Sequence, residues 1–198
     1  MEDEKMQHDT DAIKEVLFKS AMQGRWKDVA LNYAQDKGVR GTKITWGGDT
    51  LLHLAASSGE ENNAILLTDC LEKDEDKENT QTILEIPNER GDTALHIAAA
   101  LGMVGVCLAM ARLHPKMVVK ILNERKETPL FKAVRHGQKK AFFALQSVVE
   151  THIVPPPDVN REGLRIEGGD TILHNAIFAE HFGEYCLRVD LISCSQKC

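Results

Sequence analysis

The chain has 198 residues, 42% of them hydrophobic, and a formal net charge of -6 with acidic and basic residues mixed along most of its length. That hydrophobic share suffices for a real core, while the lack of a broad basic face argues against a dedicated nucleic-acid role. Five cysteines, an odd number, and a polar, acidic opening without a secretory signal point to a reducing, cytoplasmic setting.

In chain order, residues 1–11 read as a disordered acidic segment. Leu17 to Gly24 (LFKSAMQG) and the apolar spacing Trp26, Val29, Ala30, Tyr33 then predict a helix, a tight bend and a second helix. The nine residues Gly48 to Ala56 (GDTLLHLAA) follow, and they return as Gly91 to Ala99 (GDTALHIAA), Lys126 to Val134 (KETPLFKAV) and Gly169 to Ile177 (GDTILHNAI). The motif threonines Thr50, Thr93, Thr128 and Thr171 stand 43, 35 and 43 residues apart. A basic unit of about 33 to 35 residues is the period of a turn plus two helices, with loop insertions in two copies. The inserted segments are expected at Glu72 to Thr82 (EKDEDKENTQT), a charged tether with a solvated acidic run at Asp74 to Glu78, and around Pro155 to Asp158 (PPPD).

Each motif position has a mechanical role. Threonine suits a helix N-cap, and Pro129 fits the first helical position, where its missing N–H costs nothing. Leu52, Leu95, Leu130 and Leu173 are expected to point inward, and the pairs Ala55-Ala56 and Ala98-Ala99 let a neighbouring helix approach closely. Seven residues beyond the first three of these leucines stand Gly59, Gly102 and Gly137, placed to end a helix in the left-handed conformation. Apolar spacing then predicts longer helices through Ile65, Leu66 and Cys70, through Val104, Cys107, Leu108 and Ala111, and through Phe142, Leu145, Val148 and Val149. The uncharged run Ile97 to Ala111 is shorter than the roughly 20 residues of a membrane span and is cut by Gly102 and Gly105 into two helices of one hairpin. A unit this short cannot bury its own apolar face, so the copies are expected to stack into an all-α solenoid with one elongated core.

The threonine, proline, leucine, histidine, x, alanine signature at this period resembles the ankyrin repeat over roughly residues 14 to 185. The GDTxLH variant, the insertions and the opening LFKSAMQGRW resemble more narrowly the plant ankyrin proteins with a C-terminal transmembrane PGG domain, a family associated with defence and salt-stress signalling. The reading divides the chain into a degenerate cap at 14–45, repeats at 46–87, 88–122 and 123–165, an incomplete repeat at 166–186 and an irregular tail at 187–198. The array as a whole covers 12–186. After Phe182 no hydrophobic hairpin and no PGG motif follow, so that family's membrane function does not transfer.

His53, His96 and His174 recur one per unit, facing the same way, instead of converging on one ion, so no metal site is expected. The resemblance implies that these histidines hydrogen-bond the motif threonine and the turn backbone, and Phe131 takes that slot in the third copy. Gly47-Gly48-Asp49 and Gly168-Gly169-Asp170 read as turn glycines and cap carboxylates. No Walker loop, GxSxG elbow, HExxH helix or paired CxxC is present, so no catalytic residue and no cofactor are assigned.

Positions that hold the stack repeat, while the turn tips differ: Trp46 and Gly47, Glu89 and Arg90, Arg125 and Lys126, Arg165 and Glu167. In ankyrin arrays such tips and the short helices line a concave face. The candidate partner-binding residues are therefore Trp46, Arg90, Arg125, Arg135 and His136, with packing beneath its own loop as the alternative for Trp46. The expectation is a non-enzymatic protein-interaction module without a membrane span in this chain. One alternative is a shortened soluble form of a membrane-anchored ankyrin/PGG signalling protein, favoured by the apolar tail residues Val189, Leu191, Ile192 and Cys194. Another is a redox or metal protein using Cys186, Cys194 and Cys198.

Overall fold

The computed structural model describes the backbone of residues 2–152 and the side chains from residue 12 onward. Among the described residues every regular element is helical. The fourth motif copy with Thr171 and His174, the segment from Pro155, the tail and Cys186, Cys194 and Cys198 lie outside them.

Two helices open the chain, α1 (Glu2–Met22) and α2 (Trp26–Gln35). The segment expected to be disordered thus carries helical backbone from Glu2 onward, and its Glu, Lys, Met and Gln residues are strong helix formers. A single turn of 3-10 helix follows at Lys37–Val39. The first motif copy forms α3 (Leu51–Ser57), and α4 (Glu61–Glu72) returns beside it.

The insertion after α4 is not the tether its charge suggested. It folds into α5 (Lys77–Glu85), whose N-cap Asp76 accepts from the Asn79 amide at 2.9 Å. Thr80, Ile83 and Leu84 fall at helical spacing, are buried, and turn one face of α5 toward the later helix α7. Nor is the acidic run before it wholly solvated. Asp74 is buried, bonded to the Arg40 guanidinium and to Lys37 Nζ at 2.8 Å. Those bonds hold its carboxyl down at about 2, with Lys37 the largest influence. Arg40 also donates to the carbonyls of Tyr33 and Ala34, at 2.8 and 3.1 Å, and so caps the end of α2 while tying it to the insertion.

The second copy gives α6 (Ala94–Leu101) and α7 (Val104–Leu113), followed by a short α8 (Met117–Lys120). The apolar run across Gly102 is therefore two helices, and no helix of the described residues is long and apolar enough to cross a membrane. The third copy gives α9 (Pro129–Arg135) and α10 (Lys139–His152).

These helices pack as two rows. In one, α1, α3, α6 and α9 lie side by side; in the other, α2, α4, α7 and α10 do the same, and each first-row helix pairs with the second-row helix that follows it. Close approach within the first row rests on Ala55, Ala56, Ala98 and Ala99, all fully buried, with Leu52, Leu95 and Leu130 filling the space between the rows. The bend between rows is a Schellman closure. Met103 N–H bonds the Ala98 carbonyl at 3.0 Å and Gly102 N–H the Ala99 carbonyl at 3.3 Å, with Gly102 at φ 74°. Gly137 repeats it, through Gln138 N–H to the Ala133 carbonyl at 2.8 Å. A carboxylate joins units in the second row, where Glu61 of α4 accepts from the Gly105 and Val106 amides at the start of α7.

Candidate functional site

Three tight turns precede α3, α6 and α9, each closed by two backbone bonds. In the second, Asn88 N–H bonds the Asp92 carbonyl at 2.9 Å and Gly91 N–H bonds the Asn88 carbonyl at 3.0 Å. The third repeats this with Asn123, Glu127 and Lys126, and the first with Ile44, Asp49, Thr45 and Gly48. The residue before the turn's last is left-handed in all three: Gly48 at φ 72°, Gly91 at 72°, and Lys126 at 59°. At Gly91 a side chain has nowhere to go, because a Cβ would lie 2.5 Å from the Glu124 nitrogen of the next turn.

Adjacent turns are stitched together. Glu89 N–H donates to the Gly47 carbonyl at 2.9 Å and Glu124 N–H to the Arg90 carbonyl at 3.2 Å. The histidines add a second tie. The Thr93 amide donates to His96 Nδ1 at 3.1 Å, so Nδ1 is the acceptor nitrogen of a neutral ring and Nε2–H donates to the Glu127 carbonyl at 3.0 Å. His53 does the same between the Thr50 amide and the Asp92 carbonyl, at 3.2 and 2.9 Å. Burial holds His96 down to about 4, the bond to the Glu127 carbonyl opposing, and burial likewise lowers His53. Both rings are therefore neutral structural ties at neutral pH. In the third unit Thr128 Oγ1 accepts from the Phe131 amide at 3.1 Å, Pro129 sits at the first helical position, and the buried Phe131 ring has no nitrogen to donate.

Two asparagines that the sequence reading passed over make the tips rigid. Asn88 Oδ1 accepts from the Arg90 and Asp92 amides at 3.0 and 3.1 Å, and Asn123 Oδ1 from the Arg125 and Glu127 amides at 2.9 and 3.0 Å. Their amide nitrogens reach back one unit, Asn88 to Asp49 at 2.9 Å and Asn123 to Asp92 at 2.9 Å. A signal for them was present: in both units Asn-Glu-Arg begins five residues before the motif threonine.

Beneath the second and third tips runs a groove of about 600 Å³. It brings together four of the five candidate residues, Arg90, Arg125, Arg135 and His136, with Ile97 and Leu101 of α6 on its apolar side. Trp46 is not among its lining residues and is 100% exposed, so it does not pack beneath its loop. The groove floor holds two buried carboxylates, each neutralised by a cation from α9: Asp92 by Lys132, and Glu127 by Arg135. Burial pushes the Asp92 carboxyl up, but the bonds from Lys132 and Asn123 outweigh it and keep the group below its ordinary value. Arg135 is thus engaged within the chain. His136 is exposed at the groove's end, its pKa lowered by partial burial and by the charges of Lys132 and Arg135.

Arg90 and Arg125 are exposed and form no ion pair among the described residues. No group of three or more His, Cys, Asp or Glu side chains among the described residues is placed to hold a metal ion. Of the two described cysteines, Cys107 is buried and its thiol is pushed up to about 12, while burial also raises that of half-buried Cys70.

No protein-family model matches the chain, and no curated protein is similar to it. Among solved structures, a chain in the crystal structure of the yeast ribosomal protein Rps3 in complex with its chaperone Yar1 is similar, with 16% sequence identity and a TM-score of 0.57. The likeness covers 72% of this chain and 97% of that one, and at such identity it is a likeness of fold.

Proposed function

We propose that this chain is an ankyrin-repeat array that works as a non-enzymatic protein-interaction module in the cytoplasm. The observation that carries this reading is the separation of roles between repeated and variable positions. Thr50, Thr93, His53, His96, Gly102 and Gly137 are committed to caps, ties and bends inside the stack. Arg90 and Arg125 occupy rigid turn tips over a groove and form no ion pair among the described residues. Energy of association in such a surface comes from a few anchors in a desolvated patch and not from area as a whole. The similar solved structure is itself of a protein complexed with its chaperone, which agrees with a binding role without extending that partner to this chain.

The test is affinity capture on the immobilised chain, with Ala100→Trp as the comparison. Ala100 lines the groove and is half-buried, so a large ring there obstructs the groove while the core residues stay in place. Proteins retained by the wild type and released by this variant, with unchanged thermal melting, are the expected result. Retention that is indifferent to the obstruction would remove the groove from the reading.

A further inference from the structure

The groove's charges decide what it admits. Its two buried carboxylates are matched one to one by Lys132 and Arg135, and Asn123 donates to both, at 2.9 Å to Asp92 and 3.1 Å to Glu127. The floor is therefore neutral as a whole. What remains is Arg90, Arg125 and the single acid Glu124, a local positive excess on a chain whose net charge is -6. Both arginines have their backbone amides fixed by an asparagine oxygen, so the guanidinium stems start from rigid points. Below them Leu101 is 50% exposed, next to Ala100 and Ile97. Two forked cations over an exposed leucine match a ligand with two anionic groups and one apolar group.

Spacing narrows the match. Arg90 and Arg125 occupy equivalent places on turns that precede neighbouring helices of one row, and packed helices lie about 8–10 Å apart. A polyproline-II segment has three residues per turn and advances about 3.1 Å per residue, so side chains three apart share a face about 9 Å apart. We propose that the groove takes an extended acidic segment of a partner protein, with carboxylates three residues apart on Arg90 and Arg125 and an apolar side chain on Leu101. This rests on the reading of the groove as a protein-binding surface.

The test is panning of a random twelve-residue peptide display library on the full chain, followed by fluorescence anisotropy with an enriched peptide. Enrichment of two Asp or Glu three positions apart is expected, with binding weakened about tenfold by Asp→Asn in the peptide, or by Arg90→Ala or Arg125→Ala in the protein. Neither arginine side chain supports the fold, so both variants should melt as the wild type does. Enriched peptides without acidic residues, binding indifferent to both arginines, or tighter binding of a single-stranded oligonucleotide than of the peptide would each overturn the proposal. If such peptides are nevertheless released by Ala100→Trp, the groove still binds protein and only the acidic partner is lost. If no peptide is enriched and affinity capture is also unaffected by that variant, both readings fall.

Discussion

The second and third units follow one plan, and two of the differences between them bear on the ties between turns. Gly91 and His96 of the second are replaced by Lys126 and Phe131 in the third. At the turn, both residues adopt the left-handed conformation, at φ 72° and 59°, and a Cβ at Gly91 would collide with the backbone of the third turn. At the helix, His96 ties Thr93 to the next turn through two ring nitrogens, whereas Phe131 fills the slot with apolar volume alone. Identical motif positions thus carry unequal energy. The second unit is built around close contact with the third, which at the matching turn position carries a side chain.

The comparison can be broken at four points. Gly91→Ala should cost the most, about 2–4 kcal/mol in denaturant melts, from strained φ plus collision with the Glu124 backbone. Gly59→Ala, at φ 78° with open space around it, should cost clearly less, and equal losses would mean that contact between turns is unimportant. His96→Phe makes the second unit like the third. It leaves the Thr93 amide and Glu127 carbonyl without their partner, which predicts a loss of about 2 kcal/mol by the same measurement.

Acid should act through the same tie. His96 titrates lower in the folded chain than the ordinary 6.5, so the unfolded state takes up the proton first. Stability is then full above about pH 6.5 and is lost as pH falls toward 4, by about 1 kcal/mol between pH 7 and 5.5. Asp92, Glu127 and Lys132 surround the ring, and His53 contributes in the same direction. The slope of melting temperature against pH should flatten in His96→Phe; an unchanged slope would assign acid sensitivity to other groups. The smallest expected effect has the opposite sign. Lys126→Gly should stabilise by about 0.5–1 kcal/mol by relieving the left-handed conformation, and a loss would show that the lysine side chain outweighs that strain.

Much of the helical plan was legible because its signals are local. Threonine before an apolar run, proline at the first helical position and glycine seven residues past the leucine mark where α3, α6 and α9 start and stop. Insertion chemistry was misjudged. Reading Glu72 to Thr82 by charge hid a helix whose apolar face, Ile83 and Leu84, begins just beyond that window. Asp74 looked solvated because its partner Arg40 lies 34 residues earlier, and no local pattern announces such a pair.

For the candidate groove, the variable tips picked out Arg90 and Arg125, but sequence gave Arg135 the same standing, and the fold turns it onto Glu127. Trp46 was identified as variable and is fully exposed, yet it lies apart from the groove. By itself, then, the sequence determined the repeat, the boundaries of the motif helices α3, α6 and α9, and which residues change between copies, since these depend on backbone conformation over a few neighbouring residues. Only the tertiary structure decided which charges are matched and which are left facing outward. That choice depends on distances that only the fold sets: Lys132, 40 residues beyond Asp92, becomes its partner only when stacking brings α9 beside the preceding turn.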